Sequence, residues 1–123
     1  MSTSKFVSVV DDDKDVRLAV STLLRSYGWA ASTFESAEDF LQSGAFQATA
    51  FLISDVRMPG LSGLDMYTEL VSRGYTPPTV FITAYPSPEL EQKASDVGAL
   101  ALLSKPFDFA SIVHWVTAAL GRP

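Results

Sequence analysis

Phe6-Val7-Ser8-Val9-Val10-Asp11-Asp12-Asp13 is the stretch on which the reading of this chain turns. A short β-branched, almost continuously apolar run breaks off into three consecutive acids. Such a run fits a parallel strand buried on both faces, and the acids mark its carboxyl end. Directly after it, Val16, Ala19, Val20, Leu23, Leu24 and Tyr27 recur at three- and four-residue steps, with Gly28 as a stop. Strand, polar turn and amphipathic helix together make one βα unit.

The unit recurs outward along the chain. Further strands are expected at Ala31–Phe34, Ala50–Ser54, Thr79–Thr83 and Leu100–Ser104, the second more polar and therefore an edge. Ser36 and Asp39 resemble a capping box opening a short helix that turns Phe40 and Leu41 inward. Leu64, Tyr67, Leu70 and Val71 form a third stripe, ended by Gly74 and Pro77-Pro78. Ser87-Pro88-Glu89 supplies a cap, a first-position proline and an acid for the helix dipole. That helix, from Pro88 to Val97, has only Leu90, Ala94 and Val97 as an apolar face and is expected to be loosely held. Asp108 caps a last helix with Phe109, Ile112, Val113, Val116 and Leu120 on one side. The pattern is α/β, a doubly wound (βα)₅ unit over residues 1–123, with helices on both faces of a parallel sheet. Ligands in such sheets bind beyond the carboxyl ends of the strands.

Bulk properties narrow the function. The chain has 123 residues, 47% of them hydrophobic and 19% charged, enough for one domain with its own core. Its formal net charge of −5, with no basic stripe, argues against direct nucleic-acid binding and suits a metal ion, a cationic ligand or a protein partner. No apolar run reaches the roughly 20 residues that span a bilayer. Met1-Ser2-Thr3-Ser4-Lys5 lacks the pattern of a secretion signal, and there is no cysteine for disulfides or thiolate metal sites. Cytoplasmic residence is expected.

The chemistry-bearing residues collect at strand ends. Asp13 reads simply as a helix cap, whereas Asp11 and Asp12 are adjacent like charges that repel unless something neutralises them. Asp55 ends the third strand, in Leu52-Ile53-Ser54-Asp55-Val56-Arg57-Met58-Pro59-Gly60. Neighbouring parallel strands lie about 4.8 Å apart, so Asp55 can meet the first acids, and a hard cation such as Mg²⁺ would suit the crowding. Thr83 ends the fourth strand and can offer a hydroxyl to an anion at Asp55. Lys105, after the fifth, can pair with the acids or with a phosphoryl oxygen. A strand-end Asp, Thr or Lys is by itself most simply a cap, a β-former or a surface group. Acid pair, acid, hydroxyl and lysine after strands one, three, four and five form an ordering that no purely structural account requires.

With these residues in view, the whole chain resembles a response-regulator receiver domain of the CheY-like superfamily. The resemblance runs from Val7-Ser8-Val9-Val10-Asp11-Asp12-Asp13 to Ser104-Lys105-Pro106-Phe107. Asp55-Val56-Arg57-Met58-Pro59-Gly60-Leu61-Ser62-Gly63 is similar to the FixJ-type branch in particular. The resemblance implies a flavodoxin-like three-layer sandwich with strand order 2-1-3-4-5. It makes Asp55 the phosphoacceptor and Asp12 a direct Mg²⁺ ligand, with Asp11 acting largely through water and the Arg57 carbonyl completing the protein ligands. It places Thr83 and Lys105 on the phosphoryl group and makes the Lys105–Pro106 peptide cis. It further implies a signalling switch rather than a turnover enzyme, a sensor histidine kinase as partner and a DNA-binding output domain outside this stretch. Strands four and five and the loosely held fourth helix make the expected output face, and a phosphorylation-dependent homodimer through it is the expected consequence.

The chain departs from the family three residues before Lys105. Leu102 stands where many receivers carry the Tyr or Phe of a rotamer switch, so coupling is expected through Thr83 and the backbone. Tyr85, two residues after Thr83, is expected to restrict access to the phosphate. His114 reads as a surface residue, Trp115 as packing or interface, and Trp29 as cover for a loop near strand two.

Rival readings fare worse. A haloacid-dehalogenase-type phosphatase wants a second acid where Arg57 stands. A flavin domain needs a phosphate-cradling loop where three acids would repel it, and Gly60 and Gly63 lack the Gly-Lys-Ser/Thr ending of a P-loop. The alternative that remains is a receiver-like interaction module that signals without phosphorylation.

Overall fold

Three strands of the chain are apolar at consecutive positions, and a sheet with helices on both faces is what such strands require. In the computed structural model, which describes residues 5–123, β1 (Phe6–Val10), β3 (Thr49–Asp55) and β4 (Thr79–Thr83) form the sheet interior. The more polar β2 (Ala31–Phe34) forms one edge and the short β5 (Ala101–Ser104) the other. The strand order is β2-β1-β3-β4-β5 and all pairings are parallel, the expected flavodoxin-like three-layer arrangement. The reading of Met1–Lys5 as lacking a secretion signal concerns residues 1–4, which lie outside the described residues.

Successive side chains of a strand leave on opposite faces, and here both faces are filled. Val7, Val9, Phe51, Ile53, Val80 and Ile82 pack on one side with Val20 and Leu24 of α1 (Lys14–Ser26) and Ile112 and Val116 of α5 (Phe109–Leu120). Val10, Leu52 and Phe81 pack on the other with Phe40 of α2 (Ala37–Ser43), Met66, Tyr67 and Leu70 of α3 (Gly63–Ser72) and Ala94 of α4 (Pro88–Asp96). Each large apolar side chain so buried contributes about 1.5–3 kcal/mol.

The helix starts follow their caps. Asp13, Ser36, Ser62, Ser87 and Asp108 each accept a backbone N–H of the first turn. Ser36 accepts from the Asp39 N–H at 3.0 Å, as the capping-box spacing anticipates. Only Ala94 is buried on α4, in keeping with its thin apolar face.

Several boundaries and faces differ from the sequence reading. β3 begins at Thr49 and runs through Asp55, preceded by a 3₁₀ turn at Ala45–Ala48, and β5 begins at Ala101. Thr49 pairs with Phe6 of β1, which begins β3 one residue earlier, and its hydroxyl meets that of Ser8 at 2.8 Å. Tyr27, placed on the buried stripe of α1, is instead the residue that ends it, exposed and stacked on Trp29. Val71, Phe109 and Leu120 likewise sit at the outer margins of their stripes, because a stripe wider than the sheet contact leaves its flank in water. Trp29 does more than cover a loop, since it is buried in the α1–α5 side of the core. His114 is exposed, and Trp115 packs at the core margin. No helix among the described residues is long and apolar enough to cross a membrane.

Candidate functional site

The carboxyl ends of β1, β3, β4 and β5 bring the expected residues to one rim. Asp11 follows β1 and is fully buried; Asp12, next to it, is exposed. Asp55 is the last residue of β3, only 5% exposed. One carboxylate oxygen from each of Asp11, Asp12 and Asp55 lies within 4.8 Å of the others. Asp13 turns away to cap α1, accepting the Asp15 N–H at 2.9 Å. Of the three acids, Asp11 and Asp12 therefore join the site and Asp13 does not.

Backbone hydrogen bonds shape the rim. Asp11 Oδ1 accepts the Asp13 N–H at 2.8 Å, bending the chain directly after β1. The Arg17 guanidinium, one turn into α1, donates to the Asp11 carbonyl at 2.7 Å. The Arg57 N–H donates to Asp55 Oδ1 at 3.3 Å, so the loop after β3 folds back over its own acid.

Lys105 reaches in from the end of β5. Its Nζ lies 3.1 Å from Asp11 Oδ2 and 3.3 Å from Asp55 Oδ2. The Lys105–Pro106 peptide is cis, as the resemblance implies. Thr83, buried at the end of β4, stands one position beyond Ile82, the register partner of Asp55. Its hydroxyl oxygen accepts the Tyr85 N–H at 3.1 Å.

The charges do not balance. Two buried carboxylates and a third exposed one face a single ammonium, and Asp11 Oδ2 makes no aligned hydrogen bond despite its ion pair with Lys105. Burial first, and then the Asp11 carboxylate, push the Asp55 carboxyl from 3.8 to about 6, against the opposing pull of Lys105 and the Arg57 N–H. Burial alone would depress Lys105, but Asp11 and Asp55 outweigh it and hold the ammonium above its ordinary value. Surplus negative charge, an under-satisfied buried oxygen and donors that are all carboxylates suit a hard cation that takes oxygen ligands.

Two contacts at the site's margin were not legible in the sequence. The Arg57 guanidinium lies 5.9 Å from the centre of the Tyr85 ring, joining the loops after β3 and β4. Glu38 of α2 accepts the Leu61 N–H at 2.8 Å across 23 residues of sequence. No local motif announces either pair.

Comparison with known proteins agrees with this geometry. Residues 7–117 match the family model of the response regulator receiver domain. The chain is 40% identical over 122 residues to the transcriptional regulatory protein FixJ of Azorhizobium caulinodans, covering 99% of this chain and 58% of that protein. It is also 40% identical over 121 residues to nodulation protein W of Bradyrhizobium diazoefficiens, covering 98% of this chain and 53% of that protein. The chain thus spans little more than half the length of these curated relatives. Among solved structures, the Vibrio cholerae chemotaxis protein CheY4 superposes with a TM-score of 0.84 at 28% identity, over 96% of this chain and 100% of that one. A parallel sheet in this order, an acid cluster at its carboxyl rim and a match over nearly the whole length have one common reading: the chain belongs to the response regulator receiver domain family, the signalling switches of two-component systems.

Proposed function

We propose that the chain accepts a phosphoryl group on Asp55 from a sensor histidine kinase, in a Mg²⁺-dependent reaction, and changes its output surface in response. The observation that carries this reading is the cluster of Asp55 with Asp11 and Asp12 inside 4.8 Å, with Lys105 Nζ 3.3 Å from the Asp55 carboxylate. The alternative, a receiver-like module that signals without phosphorylation, leaves the assembly of four charged groups without a purpose.

Asp12, Asp55, the Arg57 carbonyl and, largely through water, Asp11 would hold the ion. When bound, Mg²⁺ supplies positive charge to the transferring oxygens and orients them. An Asp55 oxygen attacks phosphorus in line. The new bond is P–O, the bond broken is P–N of the kinase phosphohistidine, and the imidazole leaves with that electron pair. Lys105, already aimed at Asp55, meets the charge on the phosphoryl oxygens. The Thr83 hydroxyl, at the neighbouring strand end, donates to one of them; its oxygen accepts the Tyr85 N–H, which leaves its own O–H free for this. Water later hydrolyses the acyl phosphate, so the domain promotes its own modification and its reversal.

The acyl phosphate carries about −1.5 to −2 in place of the single negative charge of the Asp55 carboxylate, and this biases a two-state equilibrium through Thr83 and Lys105. Leu102 is partly buried against the α2–α3–α4 side of the core, so coupling runs through Thr83 and the backbone rather than an aromatic rotamer. The loop after β4, the sparsely anchored α4 and β5 form the output face, and a phosphorylated homodimer through it is the favoured consequence. A sample that stays monomeric by sedimentation when phosphorylated at high micromolar concentration counts against that dimer. We read residues 1–123 as one receiver unit, cytoplasmic and without direct nucleic-acid contact, with a DNA-binding output domain as its partner, as a regulator of transcription such as FixJ would need.

The deciding experiment is phosphotransfer with Mg²⁺ on the wild type and Asp55→Asn, read by intact mass and peptide mapping. One added phosphoryl group on Asp55, absent from the variant, is expected. A well-folded wild type that accepts none from any donor ends the proposal.

Two further outcomes test its parts. Mg²⁺ at tenfold its dissociation constant should stabilise the protein by about 1.4 kcal/mol, raising Tm by about 5 °C, and EDTA should reverse this. A Tm indifferent to Mg²⁺ counts against the metal site. Tyr85→Ala removes the exposed ring that meets Arg57 and should speed both phosphate uptake from acetyl phosphate and its hydrolysis several-fold. Unchanged rates would remove any gating role for Tyr85.

A further inference from the structure

The loop from Val56 to Ser62 carries the backbone that faces Asp55, and it is pinned at both its return and its tip. At the return, the Gly63 N–H donates to the Val56 carbonyl at 2.9 Å. At the tip, the tie comes from another element. Glu38, in the first turn of α2, accepts the Leu61 N–H through Oε2 at 2.8 Å. A Cβ added to Gly60 would collide with that same carboxylate oxygen, and Gly60 has a φ of +82°, where a side chain is strained in any case. Carboxylate and bare glycine therefore fit as a pair. The Leu61 N–H lowers the Glu38 carboxyl from its ordinary value, and the ionised acceptor makes the bond charge-assisted. Glu38 is exposed and belongs to neither core cluster, so burial does not explain why it sits where it does.

We infer that Glu38 is a positioning residue for the phosphoacceptor site: its carboxylate fixes the turn at Gly60 and Leu61, and this sets where the Arg57 backbone stands relative to Asp55. The inference rests on the phosphoacceptor reading above. Glu38 touches no reacting atom. It acts by keeping the loop in the one arrangement that can serve the site, so losing it multiplies the apparent metal affinity by the fraction of molecules still so arranged. Once Mg²⁺ saturates, the loop is held by the ion and the rate recovers. The defect is one of half-saturation and not of maximal rate, which separates positioning from general damage.

The test uses the full chain as wild type, Glu38→Ala and Glu38→Gln, phosphorylated by phosphoramidate across a Mg²⁺ series. Amide hydrogen exchange at Leu61 is followed in parallel. Glu38→Ala should raise the Mg²⁺ concentration for half-maximal rate by about fivefold, as expected if only a fifth of the molecules keep the loop in place. Its plateau should be unchanged and its Leu61 exchange faster. Glu38→Gln keeps an acceptor oxygen and should stay within about twofold of the wild type, since a neutral acceptor retains part of the bond. Glu38→Ala with wild-type half-saturation overturns the inference. So does a lowered plateau in both variants, which would mark a diffuse structural role. A wild type that takes no phosphate removes the phosphoacceptor reading itself, and the role of Glu38 with it. A wild type that does, beside an indifferent Glu38→Ala, removes only the role of Glu38.

Discussion

Asp55→Asn is expected to raise the stability of the metal-free protein by about 1–3 kcal/mol at pH 7.5 while abolishing phosphate uptake. The gain follows from the carboxyl's position. Asp55 is 5% exposed, and burial and Asp11 together raise it from 3.8 to about 6. The folded state therefore holds this proton more tightly than the unfolded chain does. With a raised folded value, the group's contribution is fully present below about pH 3.8 and is lost as pH rises through about 6. At pH 7.5 the wild type carries the whole cost of an ionised, crowded Asp55, and the amide, which never ionises, carries none. Loss of the 3.3 Å contact with Lys105 offsets part of the gain, which is why the lower end of the range is included.

Urea unfolding of both proteins in EDTA should give midpoints that separate near neutrality and converge near pH 4. Saturating Mg²⁺ should then stabilise the wild type and leave Asp55→Asn almost unmoved, closing or reversing the gap. A variant less stable than the wild type at pH 7.5 without metal would mean that Asp55 is a net structural asset, and that the site is not held in an electrostatically costly state.

Gly63→Ala should cost about 2 kcal/mol or more, lower Tm by about 8 °C and cut phosphate uptake sharply. Considered as a helix residue, the substitution ought to help, because alanine is favoured over glycine in helices by about 1 kcal/mol. Tertiary contact decides otherwise. A Cβ at Gly63 would run into the Asp55 carbonyl oxygen and stand 2.8 Å from Ser54 Oγ. The first of these is backbone, which no rotamer change can move aside. Either β3 or the start of α3 must shift, and both carry the acid and the loop that faces it. Gly74→Ala is the control: its φ is +89°, nothing lies within 4 Å of the added Cβ, and it is remote from the rim. It should lose about 1–2 kcal/mol through backbone strain while taking phosphate normally. Equal unfolding midpoints for Gly63→Ala and the wild type, at an unchanged denaturant slope, would show that the close approach is relieved at no cost.

The sheet was legible because its evidence is local. Val7, Val9 and Val10, or Val80, Phe81 and Ile82, announce strands buried on both faces by consecutive apolar residues. Ser36, Ser87 and Asp108 announce helix starts by one side chain and a nearby amide. The strand-end residues could be placed together because parallel connectivity sends every carboxyl end to the same rim. What misled at the margins, Tyr27, Val71 and Phe109, were apolar residues whose stripe outran the surface available to cover it.

What the residue order determined by itself is therefore the layered fold and the acids, hydroxyl and lysine gathered at one rim of it. Tertiary structure alone decided that Asp11 is buried while Asp12 is open to water, that Lys105 divides itself between Asp11 and Asp55, and that Glu38 holds the loop at Leu61. The physical reason is one of range. Backbone periodicity and capping are settled within a few residues, but the desolvation of a carboxylate and the partner of a cation depend on atoms that only the folded chain brings together.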